Sequence, residues 1–271
     1  MLRVVQFSGG KDSTALVLWA REQFGADGFT AVFCDTKWEH PLTYAYVQHI
    51  NETVLGGKLV TLVSDKYPGG MVEMVKDRKR VPSPFARFCT QELKVFPFRD
   101  WLRTQTDEAV VYQGIRADES GPRRAAGCRL FSDVYDCWIE RPLFDWSAER
   151  VFEMHRKHQV SPNPLYLAGC ARVGCFPCIS MGLGEIRRIN HTMPEMWDRI
   201  EVLNQAANGR GFFPATIIPE RFHSQRNPNS GETFPSAEDV RKYIESAEAD
   251  QLRMWDKCSS GGCMSVYNLC E

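Results

Sequence analysis

The chain has 271 residues, of which 43% are hydrophobic, and its formal net charge is −1. These values allow a sizeable core in one large α/β domain with an extension or in two small domains, and they exclude a protein that coats nucleic acid through overall positive charge. No apolar run approaches the roughly 18 residues of a membrane span, and no signal-peptide pattern precedes the first predicted strand, so we expect a cytoplasmic protein.

The first predicted unit is a buried strand at residues 4–7, a glycine turn and a helix. The turn reads SGGKDS at residues 8–13 and directs backbone N–H groups at one point, which predicts an anion site. Because Lys11 is followed by Asp12, the turn is no Walker loop, and the dinucleotide fingerprint is also absent. The Asp12 carboxylate suits either a magnesium ion or a helix-start hydrogen bond. The candidate anion-binding residues are Ser8, Gly9, Gly10, Lys11, Asp12 and Ser13.

Strand and helix patterns alternate after this unit. In chain order they are a strand at 29–36, a helix at 41–50, and strands at 58–65 and 109–113. This alternation predicts an α/β fold with a doubly wound, mostly parallel sheet, in which ligands bind beyond the carboxyl ends of the strands. Asp35 and Thr36 end the second strand, and we expect them to flank a nucleotide.

Two stretches of the chain are locally basic. Arg116, Arg123 and Arg124 follow the strand at 109–113. Guanidinium groups bind phosphate or sulfate oxygens bidentately, so these arginines predict an oxyanion clamp, with an unpartnered surface loop as the alternative. The earlier stretch, residues 76–80 with Arg87, is either a solvated face or part of a binding surface.

The C-terminal part of the chain is predicted to be mainly helical. Ser147 is a predicted N-cap, and helical patterns follow at residues 183–189, 195–207 and 237–255. We divide the chain into an α/β nucleotide-binding domain, 1–165, and a region with a cysteine cluster and a helical extension, 166–271.

Ten cysteines are a high count for a chain without an export signal, and they are better explained as metal ligands or redox thiols than as a disulfide framework. Cys170, Cys175 and Cys178 form a C-x4-C-x2-C motif. Three thiolates with a distant fourth fit either a [4Fe–4S] cluster or a structural zinc ion.

Five ordered blocks between residues 4 and 180 resemble the PAPS reductase and ATP pyrophosphatase superfamily, which has an adenine nucleotide alpha hydrolase-like fold. SGGKDS resembles its pyrophosphate (PP) loop, and the segment 114–123 resembles its G-[IL]-R-x-x-[DE]-S-x-x-R element. The segments 141–151 and 163–166 resemble its R-P-L-x-x-W and N-P-L-Y elements.

The resemblance also implies how a metal centre would be built. Cluster-bearing reductases have an adjacent cysteine pair where this chain has Cys89 alone. The segment 172–178 resembles the R-x-G-C-x-x-C half of the reductases' cluster site, which favours iron–sulfur over zinc. The resemblance also implies Cys89 as the fourth ligand, with Cys258 and Cys263 as alternatives.

The superfamily contains two chemistries. Reductases of sulfonucleotides use a tail cysteine in an E-C-G-[IL]-H motif, which this sequence lacks. The resemblance therefore implies the second branch, which cleaves ATP to AMP and pyrophosphate for sulfur transfer, and most closely its iron–sulfur members that act in DNA phosphorothioation. The alternatives are a reductase with an altered tail and a non-catalytic, zinc-stabilised nucleotide-binding module.

For the second branch, the implied cofactors are ATP, Mg²⁺ and a [4Fe–4S] cluster. The implied partners are a nucleic acid acceptor, a sulfur donor such as a cysteine desulfurase, and a second copy of the chain in a homodimer. The residues expected to be catalytic are Lys11, Asp12, Ser13 and Arg116. Those expected to bind the nucleotide are the loop residues Ser8 to Ser13 with Asp35, Thr36, Arg123 and Arg124.

Overall fold

The computed structural model describes residues 1–119, 121–207, 211–226 and 231–246. In this part of the chain, a six-stranded sheet has the order β3-β2-β1-β4-β6-β5. Every neighbouring pair is parallel except β5 with β6. The predicted α/β class and the mostly parallel sheet are therefore confirmed. The strands are β1 (Leu2–Phe7), β2 (Thr30–Cys34), β3 (Val60–Leu62), β4 (Ala109–Tyr112), β5 (Arg129–Ser132) and β6 (Cys137–Glu140).

The described part of the chain also contains helices, some on the two faces of this sheet and others in an apolar cluster that includes no strand residue. In chain order they are α1 (Lys11–Phe24), α2 (Pro41–Thr53), α3 (Met71–Arg78), α4 (Phe88–Thr90), α5 (Phe96–Arg103), α6 (Gly121–Ala125), α7 (Ala148–Lys157), α8 (Leu183–Ile189), α9 (Glu195–Ala206) and α10 (Ala237–Glu245). A π-helical segment, Gln91–Val95, joins α4 to α5 without a break. None of the described helices is both long and apolar enough to cross a membrane.

Successive side chains of β1 pack against helices on opposite faces of the sheet. In β1, Val4 packs with Phe98 and Leu102 of α5, whereas Val5 packs with α1 and α2 on the opposite face. Successive side chains of a strand point to opposite faces, so a strand between two helical layers must be apolar on both.

The structure differs from the sequence-based prediction in several elements. β3 is much shorter than the predicted strand at 58–65, and the β5–β6 pair was not predicted. A two-stranded pair, β7 (Gln225–Arg226) with β8 (Thr233–Phe234), lies between the predicted helices at 195–207 and 237–255. The predicted helix at 237–255 is present as α10 to Glu245, and its remainder lies outside the described residues except Ser246, a bend.

One apolar cluster links the α/β part to the C-terminal helices. It contains Met74 and Val75 of α3 and, from beyond residue 165, Ile186, Met196 and Ile200. Since these five side chains are fully or almost fully buried together, packing is continuous across residue 165. The division of the chain at that position stays a prediction.

Candidate active site

The glycine turn after β1 has the conformation that its sequence requires. Gly9 has φ +73°, a value that side chains other than glycine's rarely adopt. A Cβ at this position would lie 2.9 Å from Val47 Cγ2, so the turn also needs glycine for space. The Ser13 hydroxyl accepts a hydrogen bond from Ser8 N (3.1 Å) and donates to the Gly10 carbonyl (3.0 Å). The turn is therefore held from inside, with the N-terminus of α1 at its end.

Three later side chains hold the turn from outside. The Asn163 amide donates to the Gly9 carbonyl (3.1 Å), and His155 Nε2 lies 2.9 Å from the Lys11 carbonyl oxygen. The Tyr166 hydroxyl accepts a hydrogen bond from Lys11 N (3.1 Å). The first N–H groups of a helix have no acceptor within it, so Tyr166 satisfies one of the groups that would bind an anion. The sequence contained these residues in the N-P-L-Y block and α7, but no spacing signal connects them to residues 8–13.

Asp12 is held by two cations. Its carboxylate accepts from Lys11 Nζ (2.8 Å) and from Arg116 Nε (2.6 Å), one to each oxygen. Burial raises the pKa of Asp12, but Lys11 and Arg116 outweigh burial and leave the pKa below its ordinary value. The carboxylate is therefore ionised, and it fixes the Lys11 ammonium at the mouth of the turn. The predicted helix-start hydrogen bond is not present in the described part of the chain: the carboxylate forms ion pairs with Lys11 and Arg116 instead. The magnesium interpretation stays a prediction.

The three predicted clamp arginines lie in different environments. Arg116 is only 4% exposed, and its guanidinium also binds Asp118 (2.7 and 2.8 Å) and the Trp146 carbonyl (3.1 Å). It therefore positions Asp12 and does not line the cavity. Arg123 lines the cavity and pairs with Glu119, whereas Arg124 is exposed outside it.

Asp35 and Thr36, which follow β2, lie in different environments. The Asp35 carboxylate accepts from Lys37 N (2.8 Å) and from the Tyr44 hydroxyl (2.7 Å), and it does not line the cavity. Thr36 does line it, and its hydroxyl donates to Glu39 (2.8 Å) and lies 3.4 Å from Cys175 Sγ. The expectation that both flank a nucleotide thus has support in position for Thr36 only.

A cavity of about 280 Å³ joins the glycine turn to the cysteines. Cys89, Cys175 and Cys178 line it together with Ser8, Lys11 and Ser13. Burial raises the pKa of Cys175 to about 11, and the neighbouring Lys94 ammonium opposes that effect. Burial also raises the pKa of Cys89, and the nearby Cys178 adds to the rise. Without a metal, these two thiols are therefore protonated at neutral pH.

Cys170 lies apart from the other three predicted ligands. It is 4% exposed in the C-terminal apolar cluster, with its Sγ 3.8 Å from Met193 Sδ, and it does not line the cavity. Burial raises the pKa of its thiol to about 12. The structure therefore places Cys89, Cys175 and Cys178 on the wall of one cavity and Cys170 outside that cavity. Cys258 and Cys263 lie outside the described residues.

The π-helical segment explains how Cys89 and Lys94 reach the same cavity. In a regular α-helix, side chains five residues apart point about 140° away from each other. The wider turn of the π segment Gln91–Val95 changes this relation, and both side chains line the cavity. The Cys175 thiolate, which forms only at high pH, raises the pKa of Lys94 against the effect of burial, so the ammonium is charged at neutral pH beside the sulfurs. Single π turns are frequent at functional sites.

Glu39 is a second buried charge that sequence reasoning missed. It is 2% exposed, accepts from Thr36 and from the Tyr44 hydroxyl (3.0 Å), and lies 3.8 Å from Cys175 Sγ. A backbone bridge pairs Glu39 with Cys175 and so holds the cysteine segment against the end of β2. The only signal in the sequence was an acidic residue four positions after Asp35.

The residues that line the cavity are of the type that binds a metal cluster through thiolates. Three cysteines and one buried ammonium border a single cavity, and iron–sulfur clusters are held by cysteine thiolates. Among the described residues, no group of three or more His, Cys, Asp or Glu side chains stands in position to hold a metal ion. The thiols are therefore gathered without forming a finished metal site.

Comparison with known proteins agrees with the fold and the turn. Residues 3–181 match the family described as phosphoadenosine phosphosulfate reductase domain. A 37.8 kDa protein of Escherichia phage 186 is 30% identical in an alignment that covers 81% of this chain and 81% of the phage protein. The adenosine 5′-phosphosulfate reductase of Allochromatium vinosum is 27% identical over 132 residues, 48% of this chain and 49% of the reductase. The chain thus aligns with about half of that enzyme.

A solved structure shows the same fold. The phosphoadenylyl-sulfate reductase of Candida auris, in a phosphate complex, superposes with a TM-score of 0.51 at 16% identity, over 66% of this chain and 83% of the reductase. Sheet order, PP-loop and helical layers place the protein in the adenine nucleotide alpha hydrolase-like superfamily. Within it, the chain belongs to the phosphoadenosine phosphosulfate reductase domain family, as predicted, and family and fold together support a nucleotide-utilising enzyme.

Proposed function

We propose that the protein is an ATP pyrophosphatase that activates an acceptor oxygen for replacement by sulfur. One observation carries this proposal: the PP-loop and three cysteine thiols open onto the same cavity. A nucleotide bound by the loop would have its phosphates beside the sulfurs, which a simple nucleotide-binding module does not need. The preferred acceptor is nucleic acid, with the DNA backbone as the specific proposal.

The loop residues would hold the pyrophosphate end of ATP. Ser8 and Ser13 supply hydroxyls, the start of α1 supplies N–H groups, and Lys11, fixed by Asp12, supplies positive charge. These groups would stabilise negative charge as pyrophosphate leaves. Arg116 acts indirectly by holding Asp12, and Arg123 is the arginine of the predicted clamp that could contact phosphate from the cavity wall. Magnesium would accompany the phosphates.

The reaction has two balanced steps. An oxygen of the acceptor phosphate attacks the α-phosphorus of ATP, the bond to pyrophosphate breaks, and the acceptor becomes adenylylated. Sulfide from a donor such as a cysteine desulfurase then attacks the acceptor phosphorus, and AMP leaves with the original oxygen. No net oxidation or reduction is required.

Cys89, Cys175 and Cys178 would hold the iron–sulfur cluster. When bound, the cluster would supply or relay sulfide. Lys94 would offset the negative charge of the thiolates, and Glu39 with Thr36 would fix Cys175. We propose a packing role for Cys170 in place of the ligand role predicted from sequence, since it faces Met193.

The decisive experiment uses anaerobically purified protein with ATP and with adenylyl sulfates in parallel. Release of pyrophosphate and AMP from ATP, lost in Asp12→Ala with unchanged iron content, is expected. Release of sulfite from adenylyl sulfate or its 3′-phosphorylated form with a thiol reductant, and no pyrophosphate from ATP, would establish the reductase instead. Stoichiometric zinc with neither activity would establish the non-catalytic module.

A further inference from the structure

A basic loop with an exposed aromatic tip lies beside the cavity. We call residues 79–87 the tip loop; it leaves the end of α3 and returns to α4. Ser83 and Ala86 close it through two backbone hydrogen bonds, Ser83 N to Ala86 O (3.3 Å) and Ala86 N to Ser83 O (3.0 Å). Phe85 stands in this turn with its side chain 100% exposed.

The tip loop is anchored, so its exposed ring is held in place. Val81 is 9% exposed in the C-terminal apolar cluster, and the buried Phe88 follows the loop. Arg80 lies over the Phe88 ring at 5.0 Å. Leaving a phenylalanine in water forgoes about 1.5–3 kcal/mol of burial, and nothing in the packing around Phe85 explains its presence there. Its position is better explained by a ligand.

Positive charge surrounds the tip. Lys79, Arg80 and Arg87 are exposed, and none of them forms an ion pair with a described carboxylate. Arg78, by contrast, pairs with Glu92. The tip loop therefore presents cations that are free to meet an anionic partner, in a chain whose net charge is close to zero.

The tip loop also adjoins the reaction cavity. Arg87, Cys89 and Thr90 line that cavity, and Phe85 is two residues before Arg87. Two residues of extended chain span at most about 7 Å, roughly the rise of two stacked nucleotides at 3.4 Å each. A strand stacked on Phe85 would thus present its next phosphates at the cavity mouth.

We infer that the tip loop binds a single-stranded segment of nucleic acid, with a base stacked on Phe85 and phosphates on Lys79, Arg80 and Arg87. Exposed aromatics interleaved with cations are the usual means of binding single strands without sequence preference. A lipid surface is disfavoured because Phe85 is the loop's one exposed large apolar side chain, and stable membrane attachment needs more. The inference rests on the proposed function in that it gives the acceptor a place to bind.

The first test measures Phe85. A dye-labelled single-stranded oligodeoxythymidine is titrated with full-length protein and followed by fluorescence anisotropy, without ATP. Phe85→Ala should weaken binding about 5- to 150-fold, the range expected for loss of one stacking contact. Phe131→Ala, which removes a partly exposed ring from β5, is the matched control and should change little. Equal binding by wild type and Phe85→Ala would overturn the inference.

The second test measures the cations. The double variant Lys79→Gln/Arg80→Gln should reduce the slope of log affinity against log salt by about 1.4, since each phosphate contact to a single strand contributes about 0.7. Lys58→Gln/Arg103→Gln removes equal charge near the amino end of the sheet, next to β3 and β4, and should leave the slope unchanged. Equal slope changes in both double variants would show only a general charge effect and refute the loop as the site.

Two further outcomes separate this inference from the proposed function. If wild type releases pyrophosphate from ATP but oligonucleotide binding does not depend on Phe85, the proposed pyrophosphatase is supported and nucleic acid binding by the tip loop is refuted. If oligonucleotide binding depends on Phe85 but no pyrophosphate is released, nucleic acid binding by the tip loop is supported and the proposed pyrophosphatase is refuted. Phe85-dependent sedimentation with phosphatidylserine vesicles, without oligonucleotide binding, would replace nucleic acid with a membrane.

Discussion

Replacing Arg116 with lysine tests whether the buried ion pair holds the PP-loop. The arginine side chain is 5% exposed, and two nitrogens of its planar fork serve three partners: Nε donates to Asp12, and Nη1 donates to Asp118 and to the Trp146 carbonyl. A lysine ammonium is a single point and can replace only one of the two nitrogens, so Arg116→Lys should lose either the hydrogen bond to Asp12 or the two that Nη1 makes.

The expected cost follows from the hydrogen bonds that a lysine cannot replace. The Asp118 side chain is 52% exposed, so that pair is worth little in either protein. The hydrogen bond to the buried Asp12 should be worth about 1.5–3 kcal/mol and that to the Trp146 carbonyl about 1 kcal/mol. Since a lysine replaces only one of the two nitrogens, we expect Arg116→Lys to lower the free energy of unfolding by about 1–3 kcal/mol. Pyrophosphate release should fall as well, because Asp12 is held less firmly and no longer fixes Lys11.

Urea unfolding followed by circular dichroism measures the first effect, and a coupled pyrophosphate assay the second. Arg123→Lys is the matched control, since that arginine is 34% exposed and its pair with Glu119 lies at the surface; its free energy of unfolding should change by less than about 1 kcal/mol. An Arg116→Lys protein within about 0.5 kcal/mol of wild type would refute the idea that this ion pair holds the loop.

Three other predictions concern the turn, the cysteines and pH. Gly9→Ala should lower the free energy of unfolding by about 2–5 kcal/mol, from positive φ and crowding. Gly25→Ala, with φ +78° and ψ 172° but open space, should cost only the backbone part, about 1–3 kcal/mol in the same urea assay. Cys178→Ser should lose iron and visible absorbance, whereas Cys170→Ser should keep its iron per folded chain; the reverse would make Cys170 a ligand. Burial lowers the pKa of His155 below 6.5, so the unfolded chain binds more protons and stability should fall as pH drops below that value. A His155→Gln protein with the same pH dependence as wild type would contradict this.

Local sequence patterns were sufficient to predict the central parallel strands of the sheet. The alternation of apolar strands with helices predicted β1, β2 and β4, because such strands are buried on both faces and read as apolar runs. The hairpin of β5 and β6 was not predicted, since its strands have four residues each and leave Phe131 and Trp138 partly exposed. Short strands with exposed aromatics give no apolar run.

The site was predictable only in its local parts. The conformation of Gly9 and the internal hydrogen bonds of the PP-loop follow from six adjacent residues. The hydrogen bonds of Tyr166 and Arg116 join positions more than 100 residues apart, and no periodic pattern encodes them. Cys170 shows the opposite failure: its spacing to Cys175 is that of a ligand, but packing of α8 and α9 places it among apolar side chains.

The π turn between α4 and α5 makes the helix less stable, but it places Cys89 and Lys94 on the same cavity. Removing one residue from Gln91–Val95 would restore a regular helix with better hydrogen-bond geometry, and the helix itself should become harder to melt. The same deletion would rotate Cys89 by about 100° relative to α5, which is fixed to the sheet by Phe98 and Leu102. A search for stabilising deletions in this protein would therefore select shortened forms of this helix that fold well and have lost the cavity face on which Cys89 and Lys94 meet.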